Sequence, residues 1–161
     1  KVIQALAQGK KVAVVSDAGT PGINDPGNYL VQRVLEALPD TKVAPIPGAN
    51  AALASLSISG FSCDHYVYLG FPPHKKGRQT FFKNLGKIET TIVFYESKHR
   101  IKKCLDELKK VAQLGNRPMM VARELTKQFE TIYRGTAGEI TSQLRQKELL
   151  GEFVVVIGPK R

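Results

Sequence analysis

Short apolar runs alternate along this chain with segments of helical periodicity. A short, mostly β-branched run between turn signals predicts a buried strand, and apolar residues spaced three and four apart predict an amphipathic helix. The predicted strands are Val12–Val15, Val43–Ile46, Tyr66–Leu69, Thr90–Tyr95, Pro118–Ala122, Thr131–Arg134 and Phe153–Ile157. The predicted helices are Val2–Ala7, residues 26–38, Ala51–Ser59, Arg78–Leu85, residues 101–112 and residues 136–146. Asp25-Pro26 is a helix-start signal, and Thr136 with Glu139 is a possible capping box.

This alternation predicts an α/β fold, with mainly parallel strand pairing in the first part and a mixed sheet in the second. The first part has only two predicted strands, too few for a free-standing parallel sheet. Because the chain also opens inside a predicted helix, we expect a fragment whose upstream strands are absent. The turn-rich segment Gly60–Asp64 predicts a boundary between two domains, residues 1–62 and residues 63–161.

The net charge of +10 lies almost entirely in the second part of the chain. Residues 1–63 hold 5 basic and 4 acidic side chains, whereas residues 64–161 hold 19 basic and 10 acidic ones. One-sided positive charge favours a polyanionic partner, and RNA is the natural candidate. The alternative is a well-solvated, lysine-rich surface.

The remaining composition excludes several classes of protein. The two cysteines, Cys63 and Cys104, and the three scattered histidines fit neither a disulfide framework nor a metal site. No stretch is long and apolar enough to span a bilayer, and no signal peptide is visible. We therefore expect a cytoplasmic protein without a metal.

The segment Ser16–Gly27, SDAGTPGINDPG, carries the strongest local signal. Three glycines, two prolines and two aspartates follow directly after a predicted strand. Glycine permits positive φ and close backbone approach, while proline stiffens the loop. Such a loop at the end of a strand is typical of a ligand site in an open α/β sheet.

Five further segments accompany this loop: PIPGANAAL (45–53), YLGFPPHKKGRQ (68–79), FYESKHRI (94–101), RELTKQFETIYRG (123–135) and GEFVVVI (151–157). In order and spacing, the six segments resemble the ribosomal RNA small-subunit methyltransferase I family, the 16S rRNA cytidine 2′-O-methyltransferases. That family belongs to the tetrapyrrole-methylase superfamily, the class III S-adenosylmethionine (SAM) methyltransferases. The chain departs from it in Asn24, Asn50 and Lys98, where the family usually has Ser, Ser and Pro. It also lacks the family's opening strand with its glycine-containing TPIGNL-type loop and the acidic segment that follows.

The resemblance implies two α/β domains with SAM between them, the first domain being truncated here. It implies methylation of a cytidine ribose 2′-hydroxyl in small-subunit rRNA, and a homodimer. Because part of the SAM site is expected to be missing, we expect the fragment itself to be inactive. The alternatives are a tetrapyrrole methylase of the same superfamily and a non-catalytic RNA-binding fragment.

The resemblance also implies roles for individual residues, each with a purely structural alternative as a turn, cap or core residue. The SAM contacts it implies are Asp17, Ala18, Gly19, Thr20, Ile23, Asn50, Ala51 and Tyr95. The polar segment after residue 122 offers Glu124 and Lys127 as catalytic candidates that orient or deprotonate the ribose hydroxyl. Methyl transfer has a good leaving group, so positioning can supply most of the acceleration. The candidate RNA contacts are Lys75, Lys76, Arg78, Lys98, Arg100 and Arg123.

Overall fold

The computed structural model describes residues 1–160 and shows helices and strands in alternation, as the α/β prediction requires. The α-helices are α1 (Val2–Ala7), α2 (Asn28–Ala37), α3 (Ala51–Ser59), α4 (Arg78–Leu85), α5 (Ile101–Lys110), α6 (Ala112–Gly115) and α7 (Ala137–Gln143). The strands are β1 (Tyr66–Tyr68), β2 (Thr91–Ser97), β3 (Met119–Arg123), β4 (Thr131–Gly135) and β5 (Glu152–Ile157). A 3₁₀ helix, Gln146–Leu149, precedes β5.

The chain divides into two compact units, Lys1–Asn50 and the residues from Ala51 onward. Helix α3, which we placed in the first domain, packs within the second unit against β2 and β5. The domain bounds 1–62 and 63–161 stay a prediction.

The first unit contains helices and loops but no strand. The predicted strands Val12–Val15 and Val43–Ile46 were therefore wrong, and with them the parallel pairing in this part. Val15 is 84% exposed and Ile46 is 80% exposed. The physical reason is that a strand forms only where a neighbour completes its hydrogen bonds, and the described residues supply no neighbour to either run.

Helix α2 begins later than Asp25-Pro26 predicts. Its N-cap is Gly27, at φ 144°, and no side chain caps the helix. The Nδ2 atom of Asn28 donates to the carbonyl oxygen of Gly22 at 2.8 Å, which ties the first helical residue back to the preceding turn. Asp25 and Pro26 thus lie in that turn rather than in the helix.

The second unit is built on a mixed five-stranded sheet in the order β1-β2-β5-β3-β4. Strand β1 pairs with β2 in parallel, and the other three pairings are antiparallel. Strands β2, β3 and β5 are central and almost wholly buried, which is why they appear in the sequence as continuous apolar runs.

Alternate residues of these strands enter two hydrophobic clusters, one on each face of the sheet. Phe94, Val121 and Val155 belong to the larger cluster, together with residues of α4, α5, α6 and α7. Val93 and Met120 belong to the smaller cluster, which α3 covers. The second unit therefore has a complete core with helices on both faces of the sheet.

Helix ends in this unit follow local chemistry. The capping box at α7 is confirmed: Glu139 N donates to Thr136 Oγ1, and Thr136 N donates to the Glu139 carboxylate. Helix α5 ends at Lys110 because Val111 is extended, so the predicted helix to residue 112 is split into α5 and α6.

Candidate functional site

Two glycine-containing turns of the first unit lie against each other. Thr20 Oγ1 donates to the carbonyl oxygen of Ala49 at 3.5 Å. A Cβ atom added to Gly48 would lie 3.3 Å from the carbonyl oxygen of Gly19. Gly19 itself has φ +73°, a conformation that favours glycine. The loop 16–27 and the turn 47–50 therefore form one backbone-lined surface that a larger side chain would crowd.

Most of the predicted cofactor residues in this unit are accessible. Asp17, Ala18, Gly19 and Ile23 are exposed, and Thr20 and Asn50 are half-buried. Exposed backbone next to an apolar side chain suits a ligand that carries both an amino-acid group and an apolar part.

Tyr95 and Ala51, the predicted cofactor residues of the second unit, lie close together. The Tyr95 hydroxyl accepts a hydrogen bond from Ala52 N in the first turn of α3 at 3.2 Å. Its ring lies edge-on to Tyr68 and tilted against Phe71, with centroid distances of 5.7 and 5.4 Å. Tyr95 is thus held by contacts at its hydroxyl and at its ring.

Strand register gathers three of the sequence motifs at one end of the sheet. Ser97 pairs with Glu152, and Arg123 pairs with Phe153, so the ends of β2 and β3 meet the start of β5. Tyr95 N donates to the carbonyl oxygen of Gly70 at 2.7 Å, which brings the loop after β1 to the same place. We call this the motif end of the sheet; it carries segments 68–79, 94–101 and 123–135.

Glu124 and Lys127 form a charged cluster with Glu152 at the motif end. The Glu124 carboxylate accepts from Glu152 N at 2.7 Å and from Lys127 Nζ at 3.4 Å. Lys127 Nζ also donates to the Glu152 carboxylate at 2.8 Å. Glu124 and Thr126 both have positive φ, +48° and +64°, which is unusual for residues with a side chain and is common at functional sites.

This cluster fixes the charge of both catalytic candidates. The hydrogen bond from Glu152 N, assisted by Lys127, lowers the pKa of Glu124. The hydrogen bond to Glu152 raises the pKa of Lys127. At neutral pH Glu124 is a carboxylate and Lys127 is an ammonium group, so Lys127 has no lone pair with which to take a proton.

The six predicted RNA contacts separate into two groups. Lys75, Lys76 and Lys98 are exposed. Arg78, Arg100 and Arg123 are instead buried or half-buried and already paired. Arg123 donates from Nε to the carbonyl oxygen of Leu150 at 2.6 Å and from Nη1 to that of Phe129 at 2.8 Å, so it braces two loops. The three arginines are held in ion pairs and hydrogen bonds, whereas the three lysines are exposed to solvent.

Glu96 is a residue at the motif end whose pairing the sequence did not predict. Its carboxylate is fully buried and accepts from Arg78, from Arg100 and from Ser97 N. A signal was present: Arg100 follows Glu96 by four residues, and an acidic residue inside an apolar strand must find a cationic partner.

Within residues 1–160, no three His, Cys, Asp or Glu side chains are grouped as a metal ion would require. No helix in the same range has the length and apolarity needed to cross a membrane.

Comparison with known proteins assigns the family. The family profile described as Tetrapyrrole (Corrin/Porphyrin) Methylases matches residues 1–141, which is most of the chain. The chain belongs to this family. The matched residues include the two glycine turns, Tyr95, Glu124 and Lys127, whereas Glu152 lies beyond them.

Two relatives of this chain are named for the methylation of ribosomal RNA. The chain is 44% identical over 162 residues to "Ribosomal RNA small subunit methyltransferase I" of Buchnera aphidicola subsp. Schizaphis graminum, covering 97% of this chain and 55% of that protein. It is 39% identical over 158 residues to the protein of the same name from Bacillus subtilis, covering 98% of this chain and 53% of the relative. The chain thus spans about half the length of these curated relatives.

Solved structures support the fold of a tetrapyrrole methylase. The methyltransferase CobJ aligns with a TM-score of 0.65 at 23% identity, over 98% of this chain and 68% of that chain. Uroporphyrin-III C-methyltransferase from Thermus thermophilus, solved with S-adenosylhomocysteine, aligns with a TM-score of 0.61 at 16% identity, over 98% and 70%. These structures confirm the predicted fold class.

Proposed function

We propose that the complete protein that carries this chain is a SAM-dependent methyltransferase acting on the ribose 2′-hydroxyl of a cytidine in small-subunit ribosomal RNA. The observation that carries the proposal is the motif end of the sheet. There, strand register brings together exposed lysines and a carboxylate–ammonium cluster, in a chain about 40% identical to proteins named for rRNA methylation.

The residues present fit SAM as the methyl donor. Gly19 and Gly48 leave the facing turns of the first unit open to close backbone approach. In the first unit, Gly19, Thr20 and Asn50 would contact the amino-acid part of SAM. In the second unit, the family resemblance assigns SAM contacts to Ala51 and Tyr95. Bound SAM would supply a methyl group attached to a positively charged sulfur. The neutral thioether that remains after transfer is a good leaving group.

For the methyl acceptor, the protein has to hold the ribose 2′-hydroxyl oxygen of the target cytidine in position for attack on the methyl group. We assign that role to Glu124, whose carboxylate accepts the hydrogen of the ribose hydroxyl and can take up its proton. Lys127 stays protonated and compensates the negative charge of the two carboxylates beside it. Placement of the oxygen supplies the main acceleration, because an oriented reaction is favoured over a bimolecular encounter.

The exposed lysines supply the RNA-binding surface. Lys75 and Lys76 lie in the loop after β1, and Lys98 follows β2 directly, so all three are at the motif end. Lysine contacts to phosphates bind RNA without reading its sequence and weaken as salt rises. The target cytidine has to leave its stack to reach the site, as for other enzymes that modify nucleotides.

We also propose that the complete protein works in the cytoplasm, without a metal, as a homodimer. The cytoplasmic setting and the absence of a metal are expected from the cysteine and histidine content, and the homodimer is expected from the resemblance to the rRNA methyltransferase family. Sedimentation equilibrium of the complete protein tests the dimer, and a monomer at micromolar concentration would contradict it.

The experiment is transfer of a tritiated methyl group from SAM to purified small ribosomal subunits by the complete protein, compared with a corrinoid precursor as acceptor. We expect label in the RNA and none in the corrinoid. Glu124→Gln should lower kcat with little change in KM for the RNA, whereas Glu89→Gln, at an exposed position at the opposite end of the sheet, is the matched control and should leave both unchanged. Label in the corrinoid alone would replace the proposal by the tetrapyrrole alternative.

The 161-residue chain permits a second test. Calorimetric titration of the isolated chain with SAM should show weak or no binding, because the chain spans only about half the length of the curated relatives. Heat of binding with micromolar affinity would show that residues 1–160 already hold the main contacts. No heat from the complete protein would contradict the proposed function itself.

A further inference from the structure

A buried carboxylate is linked by hydrogen bonds to the two segments that carry the exposed lysines of the motif end. The side chain of Glu96 has no exposed surface. One of its oxygens accepts from Arg78 Nη2 at 2.9 Å, and the other accepts from Arg100 Nε at 2.9 Å and from Ser97 N at 2.8 Å. Glu96 thus joins the start of α4, the turn after β2 and its own strand.

Arg78 extends this connection into the loop before α4. It donates from Nη1 to the carbonyl oxygen of Pro73 at 3.2 Å and from Nε to Glu107 at 2.8 Å. Its guanidinium also lies 5.0 Å from the ring centre of Phe82. The backbone of the loop 71–77 is therefore tied, through one guanidinium, to the carboxylate of Glu96.

The two segments held in this way carry the exposed lysines. Lys75 and Lys76 lie in the loop that Arg78 holds, and Lys98 lies in the turn between Ser97 and Arg100. The buried group has two arginines and two glutamates, so it adds no net charge of its own. Through these contacts Glu96 is linked to both segments that carry the exposed lysines.

Stability alone does not explain a buried ion network of this kind. Burying charges costs solvation, and an apolar replacement of similar volume is often as stable or more so. A fixed geometry is what such a network provides, because a guanidinium with several acceptors has few arrangements available.

We propose that Glu96 is a positioning residue for RNA: through Arg78 and Arg100 it holds two lysine-bearing segments at the spacing that neighbouring phosphates require. This inference rests on the proposed function and deepens it. Glu96 itself is buried and touches no RNA. Its removal should therefore act on RNA binding and leave SAM binding unchanged.

The test compares Glu96→Gln with the unaltered complete protein, using small-subunit rRNA as the probe. We expect the Kd for RNA to rise on the order of tenfold and the slope of log Kd against log salt to fall by about 2, because phosphate contacts are lost. The Kd for SAM should change less than twofold. Glu89→Gln is the matched control, since Glu89 is exposed and lies at the opposite end of the sheet.

A mutant cycle distinguishes positioning from general loss of structure. If Glu96 acts through the lysines, Glu96→Gln should weaken RNA binding much less in a Lys75→Gln/Lys76→Gln/Lys98→Gln background. Equal effects in both backgrounds would overturn the proposal. So would an unchanged Kd and salt slope in Glu96→Gln alone.

Two further measurements keep the inference testable. Arg78→Lys keeps the positive charge but loses the guanidinium, whose three nitrogens donate to Glu96, Glu107 and Pro73. This variant should therefore also raise the Kd for RNA. This variant replaces Glu96→Gln if the latter does not fold, and unchanged RNA binding would then overturn the inference. If the unaltered protein binds no rRNA, the proposed function fails instead.

Discussion

Two valine-rich runs of similar sequence end in opposite environments in the two units. Val12–Val15 in the first unit pairs with no strand, and Val15 is 84% exposed. Residues 154–157 in the second unit lie in β5 between β2 and β3, and Ile157 is fully buried. The comparison shows that an apolar run provides a capacity to form a strand, whereas neighbouring strands and covering helices decide whether it becomes one.

The same difference extends to the candidate site. In the second unit, Tyr95, Glu124 and Arg123 are held by hydrogen bonds between different elements. In the first unit, where Val34 is the one buried apolar side chain among residues 1–50, two turns contact each other mainly through backbone. We therefore expect changes in the second unit to have the larger effects on the isolated chain.

The largest effect should come from Phe94→Ala. Phe94 is fully buried in the larger cluster and lies edge-on to Phe81, with a centroid distance of 6.1 Å. Loss of a buried aromatic ring together with the cavity it leaves should lower the free energy of unfolding by about 3–5 kcal/mol. Urea unfolding followed by far-UV circular dichroism measures this. A loss below 1 kcal/mol would mean that the core of the second unit is not formed.

A smaller loss is expected for Gly151→Ala. Gly151 has φ +114°, and a Cβ there would lie 2.7 Å from Cγ of Glu124. Strain and displacement of Glu124 should cost about 1–3 kcal/mol in the same unfolding experiment.

Gly138→Ala is the matched control, because a Cβ there meets nothing closer than Thr136 Oγ1 at 3.9 Å, and alanine favours the helix. It should be neutral or slightly stabilising. Equal losses for both variants would contradict the role of Gly151 in making room for Glu124.

The pKa of Glu124 tests whether hydrogen bonds keep this side chain in place within the second unit. We expect NMR titration of the carboxyl carbon to give a pKa below the ordinary value for Glu, chiefly because Glu152 N donates to it. Since the folded pKa is lowered, the stabilisation is present above the unfolded pKa and is lost as pH falls through the folded one. In Lys127→Met, much of the lowering should remain. If the pKa of Glu124 returned fully to its ordinary value in Lys127→Met, Lys127 rather than Glu152 N would be the main cause of the shift.

The smallest effect should come from Val14→Ala in the first unit. Val14 is 40% exposed, so its truncation should change the free energy of unfolding of the isolated chain by less than about 0.5 kcal/mol. Val155→Ala is the control for the same change at a fully buried position and should cost about 2 kcal/mol. Similar losses for the two valines would remove the contrast between the units.

Much of the second unit could be predicted from its sequence because local and tertiary preferences agree there. Helix α5 was predicted from the spacing of apolar residues at positions 101, 104, 105 and 108. The capping box of α7 was predicted from Thr136 and Glu139, and the structure confirms it. In the first unit the same reasoning failed for Val12–Val15, because a strand depends on partners that no local pattern records.

The charged residues show a second limit of sequence reasoning. Lys75 and Arg78 are three positions apart in one basic segment, yet Lys75 is exposed and Arg78 is 3% exposed. The difference is set by Glu96 and Glu107, which lie far away in the sequence. A sequence pattern can locate a basic segment, but tertiary pairing decides which of its cations remain exposed to solvent.

RNA binding at the motif end is tested by ultraviolet crosslinking of the complete protein to purified small ribosomal subunits, with mass-spectrometric mapping of the linked peptides. We expect RNA-linked peptides from segments 68–79, 94–101 and 123–135, at the motif end of the sheet. Crosslinks concentrated instead in residues 86–91 and 116–119, at the opposite end of the same strands, would contradict it.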